Sequence, residues 1–271
     1  DGFDGLVIRP QLSTVTFEDL NQQEVLVTAG AGTDFGNLIN ICFDHNVLGL
    51  EEFSGIPGTV GGAAFINLHF FKFLVSQFLV AATVINKQTG QTLTVDQNWF
   101  NFGYNQSKLQ ERNFYLLDAT FKLKKANDLE VAYAKGRSHE IIRYRQWRYP
   151  SKNTCGSFFR NFHDSEVQLE VAGKKMTFVA YYLDKLGFKG ALQIGDAAVS
   201  HQHANMLVNL GQAKSSDLIA LARHMQISVL ENFGIIPQPE CLLVGFKHYP
   251  LLTAINHLKH KNHNSSQQNQ I

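Results

Sequence analysis

The chain has 271 residues, 44% of them hydrophobic and 17% charged, which is enough apolar surface for a packed core and excludes a disordered or collagen-like polymer. With 24 Lys and Arg against 23 Asp and Glu, the net charge is +1, so no basic excess supports a nucleic-acid partner. The three cysteines, Cys42, Cys155 and Cys241, are far apart, odd in number and free of any CxxC spacing, which argues against a disulfide framework or a structural zinc and fits a reducing compartment.

Asp1-Gly2-Phe3-Asp4 has neither the basic start nor the apolar run of a secretory signal. Leu6-Val7-Ile8 reads as a strand already under way, so a domain opening there lacks its first elements. Glu24-Val25-Leu26-Val27-Thr28 is a strand, followed by Ala29-Gly30-Ala31-Gly32. Thr33 is placed to cap a helix that buries Leu38, Ile39, Cys42 and Phe43 and ends at Asn46 and Gly49. Residues 61–85 are apolar, but Asn67, His69, Lys72, Ser76 and Gln77 interrupt them, well short of the ~20 residues of a membrane span. Buried strands and a connection are expected there, followed by strands over 81–85, 92–95 and 114–123.

Lys124-Lys125-Ala126-Asn127-Asp128 reads as a linker, followed by a short helix around 138–146. Beyond it, 176–186 has helical spacing with Gly187 as its stop. Ser215 or Ser216 is placed to cap a helix whose inner face carries Leu218, Ile219, Ala222, Met225 and Val229, with Gly234 ending it. Short strands are expected over 192–194, 206–208 and 242–246. Residues 257–271 hold little to bury. These elements predict an α+β fold with a boundary between residues 126 and 150.

Four segments carry candidate chemistry. Gly55-Ile56-Pro57-Gly58-Thr59-Val60-Gly61-Gly62 is either an anion-binding nest or a tight connection between buried strands, and it matches neither the P-loop nor GxGxxG. Cys155-Gly156-Ser157-Phe158-Phe159-Arg160-Asn161 offers a serine as nucleophile or proton donor, or a plain strand entry; it is not the Gly-x-Ser-x-Gly hydrolase elbow. Glu240, between Pro237-Gln238-Pro239 and an apolar run, is either a rigid, partly desolvated general acid or a surface carboxylate. His201 and His203 would share one side of a strand, but no third ligand stands nearby, so no metal is expected.

The order of these segments resembles the UDP-N-acetylenolpyruvoylglucosamine reductase (MurB) family. The resemblance rests on residues 49–62, on Phe102-Gly103-Tyr104 with Ser107, on residues 156–161, on His203-Ala204-Asn205 with Asn209, and on Pro239-Glu240. It implies a flavin-binding region of the vanillyl-alcohol-oxidase (PCMH) type over 1–126, a linker and short helix over 127–149, a substrate-binding and catalytic α+β domain over 150–250, and a disordered tail over 251–271. It further implies a cytoplasmic enzyme without a membrane span. On the same resemblance, NADPH would reduce non-covalent FAD, and the flavin would pass a hydride to UDP-N-acetylglucosamine enolpyruvate to give UDP-N-acetylmuramate for peptidoglycan synthesis, hence for cell-wall biogenesis, cell shape and division.

By position, Ser157 would protonate the substrate and Glu240 would assist it. Gly30, Gly32, Gly55, Ile56, Pro57, Gly58, Thr59, Gly61, Gly62 and Asn67 would line the FAD. Tyr104, Arg160, Asn161, His203 and Asn205 would bind the UDP sugar.

Four departures mark a divergent member. The family's Gly-Ser-Asn flavin loop would precede residue 1. Asn105 stands where the family carries an arginine, leaving Arg145, Arg148 or Arg160 to compensate. Asn67-Leu68-His69-Phe70-Phe71-Lys72 replaces a small-residue stretch, and Phe162 replaces a proline. The alternatives are a flavoenzyme with another substrate and a catalytically silent sugar-nucleotide-binding protein.

Overall fold

The computed structural model describes residues 2–253. The chain divides into two compact units. One is Leu6–Arg145, and the other runs from Gln146 onward and includes residues 2–5. The division falls inside a helix.

The first unit is built on an antiparallel sheet of β1 (Val15–Asp19), β2 (Glu24–Gly30), β3 (Val47–Leu48), β6 (Leu79–Asn86), β7 (Thr92–Asp96) and β8 (Phe114–Lys125), in the order β1-β2-β8-β6-β7 with β3 also on β8. A small hairpin pairs β4 (His69–Phe70) with β5 (Phe73–Leu74). Alternation fixes the register: Val25, Val27 and Ala29 of β2 are buried, as are Ala119, Phe121 and Leu123 of β8, while the residues between them are less so. Helices α1 (Phe35–Asp44) and α2 (Val60–Phe65) complete the core. The inner face of α1 is Phe35, Leu38, Ile39, Cys42 and Phe43. Its cap is Asp34, whose carboxylate accepts from Asn37 N–H at 2.8 Å, and not Thr33.

The expected linker is absent. Lys124 and Lys125 finish β8, and helix α3 (Asp128–Arg148) begins ten residues ahead of the short helix predicted around 138–146. The start of α3 is fixed by a capping box: Asn127 Oδ1 accepts from Glu130 N–H (3.0 Å) and Glu130 accepts from Asn127 N–H (3.0 Å). Its buried stripe is only Val131, Ala134, Ser138 and Ile141, too narrow for the apolar pattern to reveal its length. Leu6, Val7 and Ile8 form no strand and are exposed; no strand edge receives them.

The second unit has the antiparallel order β12-β13-β14-β9, from β9 (Thr154–Ser157), β12 (Gln193–Ile194), β13 (Ala197–Val199) and β14 (Met206–Asn209). A short pair, β10 (Glu170–Val171) and β11 (Lys174–Lys175), lies apart from it. Helices α4 (Val179–Lys185) and α5 (Ser215–Phe233) pack their apolar faces into the same core. The cap of α5 is Lys214, one residue ahead of the expected serines, with its N–H on the Asp217 carboxylate at 2.9 Å. Residues 242–246 form no strand, and Leu242 and Val244 are exposed.

Gln226 of α5 is fully buried. Its amide N–H groups donate to Pro237 O (2.7 Å) and Leu252 O (3.0 Å), and its Oε1 accepts from Leu252 N–H (2.8 Å). Leu251 is likewise buried, so the start of the predicted tail belongs to the core; residues 254–271 lie outside the described residues. Gln226→Leu strands two carbonyls and an N–H, and should cost about 2–4 kcal/mol in denaturant unfolding.

Candidate functional site

In the first unit, the loops after β2 and before α2 are laced together. Val60 N–H donates to Thr33 O (2.9 Å), Gly61 N–H to Ala31 O (2.8 Å) and Phe35 N–H to Gly58 O (3.0 Å). Helix α3 braces them from outside. Arg137 holds Glu52 through two bonds of 3.0 Å, Ser138 Oγ donates to Ser54 Oγ (2.8 Å), and Arg145 Nε donates to Gly55 O (3.1 Å). Gly55 (φ +74°) and Gly58 (φ +141°) occupy conformations that side chains rarely adopt. A Cβ on Gly58 would meet nothing within 4 Å, so the backbone there is open to a ligand.

The start of α2 is not open in this way. Gly62 N–H is taken by Thr59 Oγ1 (3.2 Å), and Val60 and Gly61 are bonded as above. Gly55, Pro57, Gly58 and Gly62 are the exposed residues of the glycine run, and Ile56 packs inward.

Gly30 and Gly32 serve a different close approach. A Cβ on either would collide with the backbone of Leu12 or Pro10, and their N–H groups donate to Thr14 O (2.9 Å) and Leu12 O (2.8 Å). Asn67 is buried and spends its amide inside the protein, with Nδ2 on Gly103 O (3.0 Å) and Oδ1 accepting from Ser76 N–H (3.1 Å). Tyr104 is half-exposed, with its ring 5.0 Å from His69. Asn105 sits at φ +53°, a conformation that asparagine tolerates better than most residues. Phe71 also has positive φ (+50°) and is exposed at the hairpin tip, while Phe70 lies under the Arg145 guanidinium at 5.3 Å.

Thr33 is a further candidate, which the sequence reading assigned to helix capping. It is 2% exposed, and its hydroxyl has no hydrogen-bond partner among the described residues. The signal that hid it was helix-capping chemistry, which Asp34 supplies instead.

In the second unit, Ser157 ends β9 opposite Met206. Gly156 (φ +84°) turns the chain into it. Phe158 N–H donates to Asn205 O (2.8 Å). The Asn205 side chain then acts as one more rung of the ladder: Oδ1 accepts from Phe159 N–H (3.0 Å) and Nδ2 donates to Phe159 O (2.7 Å), all buried. On the other edge, Arg160 N–H donates to Gln238 O (2.9 Å) and Glu240 N–H to Phe158 O (2.8 Å), with Phe159 facing Pro239. The Ser157 strip is thus gripped from both sides. The Ser157 hydroxyl, half-buried, makes no side-chain hydrogen bond among the described residues.

The same strip fixes the backbone of Glu240, but its side chain is exposed, so the desolvation expected of it is absent. Arg160 is bound to Glu166 by two bonds of 2.7 and 2.8 Å, and Asn161 Oδ1 accepts from Val179 N–H (3.4 Å). The Arg160 guanidinium, with His163 N–H, holds the Glu166 carboxyl below its ordinary range. Stability from a depressed carboxyl is present above the unfolded value and lost as pH falls through the folded one. The deficit of Glu166→Gln, up to about 1 kcal/mol for a pair this exposed, should therefore be full at neutral pH and shrink once pH drops below about 4.3. Urea unfolding across pH reads it.

His201 and His203 lie in the turn ahead of β14, not on a strand. Burial, with the positive charges of Arg148 and Lys189, pushes the His203 imidazole down to about 4, so it is neutral at pH 7. Arg148 itself lies against the Tyr149 ring.

Residues 148–244 match the family model described as "UDP-N-acetylenolpyruvoylglucosamine reductase, C-terminal domain". The chain is 34% identical over 247 residues to the UDP-N-acetylenolpyruvoylglucosamine reductase of Trichormus variabilis, covering 90% of this chain and 69% of that protein. It is 32% identical to the Synechococcus enzyme of the same name, covering 90% and 75%. The crystal structure of the reductase (MurB) from Thermus caldophilus superposes with a TM-score of 0.65 at 28% identity, over 80% of this chain and 72% of that one. A mixed α/β chain with this relationship is of the reductase class. It belongs to the UDP-N-acetylenolpyruvoylglucosamine reductase family.

Proposed function

We propose that the protein is an FAD-dependent reductase that uses NADPH to convert UDP-N-acetylglucosamine enolpyruvate into UDP-N-acetylmuramate, with the first unit a flavin-binding region of the PCMH type. The observation that carries the reading is the Ser157 strip: a rigid serine whose hydroxyl makes no hydrogen bond among the described residues, inside the family-matched segment.

The residues of the first unit fit the cofactor. An open Gly58 backbone, an exposed 55–58 turn and the orphaned Thr33 hydroxyl suit a ligand rich in hydrogen-bonding oxygens. Gly55, Ile56, Pro57, Gly58 and Thr59 would hold it, with Thr33 added. Gly30, Gly32, Gly61 and Asn67 would act by shaping those loops. When bound, FAD supplies the hydride that NADPH provides.

Reduction of the enolpyruvyl group leaves negative charge on the carbon beside the carboxylate, and that carbon must gain a proton. Ser157 Oγ, aligned by Asn205 and residues 238–240, donates it, and the Glu240 carboxylate, fixed at its backbone on the same strip, assists. Asn161 and a neutral His203 hydrogen-bond the UDP sugar. Arg160 supports this group through Glu166 rather than as an independent cation. The reading also places the enzyme in the cytoplasm, where its free thiols stay reduced. Among the described residues, no helix is long and apolar enough to cross a membrane.

A second reading, a flavoenzyme with another substrate, is favoured by one observation, Asn105 in place of the family's arginine. One experiment separates them. The protein is reduced anaerobically with NADPH and titrated with the enolpyruvyl sugar nucleotide while flavin absorbance is followed. Return of the oxidised band in step with the sugar supports the reductase. Reduction without reoxidation supports the second reading, and no flavin band with retained sugar binding supports a silent homologue.

A further inference from the structure

Helix α3 has a second face besides the one it buries. Val131, Ala134, Ser138 and Ile141 form the narrow inner stripe. At about 100° per residue, Leu129, Tyr133, Gly136 and Glu140 line up on the opposite side. All four are exposed, Leu129 by 80% and Tyr133 by 82%.

Nothing within the first unit calls for glycine at position 136. It stands in the middle of a 21-residue helix, where glycine is among the poorest helix formers. Its φ is not positive, so glycine's conformational freedom is unused. A Cβ there would meet nothing within 4 Å, so no neighbour in the chain excludes one. A second surface that approaches the helix closely would.

The charges of α3 select that surface and its direction. The first turn is acidic, with Asp128 and Glu130, whereas Arg137, His139 and Arg143 follow in the middle and second half. A parallel pair of such helices sets like charges side by side. An antiparallel pair sets each acidic first turn beside the basic half of the other, and a two-fold axis between two identical chains produces that arrangement.

We infer that two copies of this chain associate through the outer faces of α3, antiparallel, with Tyr133 of each copy seated over Gly136 of the other. Helical side chains lean toward the N-terminus of their own helix. In an antiparallel pair that direction is toward the C-terminal half of the facing helix. The Tyr133 phenol therefore lies against Glu140 of the second copy and donates a hydrogen bond to its carboxylate. Glu140 is well placed to accept it, since its exposed carboxylate takes one bond of 3.2 Å, from Arg143. Leu129 covers the flank of the contact. One helix face offers less than the about 800 Å² per partner of a standard interface, so the dimer is weak, with a dissociation constant on the order of tens of micromolar.

Sedimentation velocity of the full chain, from about 2 to about 300 µM, tests this by mass action. The expected result is a monomer–dimer equilibrium across that range. Tyr133→Ala and Gly136→Ala should each raise the dissociation constant about tenfold or more. Gly136→Ala also separates the contact from folding: in dilute protein it removes a helix-weakening residue, so the melting temperature should rise while association falls. Raising salt from about 0.05 to about 0.5 M should weaken the dimer several-fold. A chain that stays monomeric at every concentration overturns the inference. A dimer that neither substitution weakens overturns it as well, because its interface then lies elsewhere. Undiminished association of Gly136→Ala removes the seat of Tyr133, and a salt-independent dimer removes the antiparallel charge pairing. None of these readouts depends on the proposed function.

Discussion

Ser157→Ala should lower turnover of the enolpyruvyl sugar by about 10²–10⁴-fold, the range of a lost general acid, while unfolding stability changes by less than about 0.5 kcal/mol. The separation follows from the geometry. The backbone of Ser157 is fixed by Met206, and its neighbour Phe158 is fixed by Asn205 and Glu240, whereas its own hydroxyl bonds to nothing among the described residues. Removing that oxygen takes no partner away from the fold. It takes away only the proton that the product carbon must receive. Anaerobic half-reactions sharpen the test: reduction by NADPH should survive, and reoxidation by the sugar nucleotide should fail. Equal loss of both would remove Ser157 from its role.

Asn205→Ala should give the opposite pattern first, a loss of about 2–5 kcal/mol in the unfolding of the second unit. The substitution strands Phe159 N–H and Phe159 C=O, both buried, and each orphaned group costs about 1–3 kcal/mol. Asn205 is thus a positioning residue as well as a stabilising one, and Asn205→Asp isolates the two roles. The carboxylate still accepts from Phe159 N–H but turns an acceptor toward Phe159 C=O. Protonation restores the donor, so the folded-state pKa of the introduced carboxyl is raised, which burial reinforces. A raised pKa gives stability that is present below the unfolded value, about 3.9, and lost as pH climbs through the folded one. The deficit of Asn205→Asp relative to wild type should therefore shrink in acid and grow toward neutrality. A pH-independent deficit would mean that the amide donor is not what holds the strip.

The family was legible without coordinates because its motifs are local. The family resemblance rested on residues 49–62, 156–161 and 203–205, and homology supports it across nine-tenths of the chain. The buried face of α1 and the strands β6, β7 and β8 follow from periodicities of 3.6 and 2 within a few residues. Where periodicity is weak, the reading failed. Helix α3 buries only four side chains, and its first turns looked like a linker. Leu6, Val7 and Ile8 and residues 242–246 have strand composition, but a strand exists only where an edge accepts it.

The sequence by itself determined the family, the sheet-forming segments, the glycine turn and the serine strip. The tertiary structure alone decided which polar groups are spent and which are left over. Asn67, Gln226 and Asn205 carry amides that could have faced a ligand, and the fold commits them to Gly103, Pro237 and Phe159. Thr33 looked like a cap, and the fold leaves its hydroxyl alone. The physical reason is the same in each case. A hydrogen bond needs two groups within a few ångströms, and for residues distant along the chain that distance is set by the packing of the whole unit.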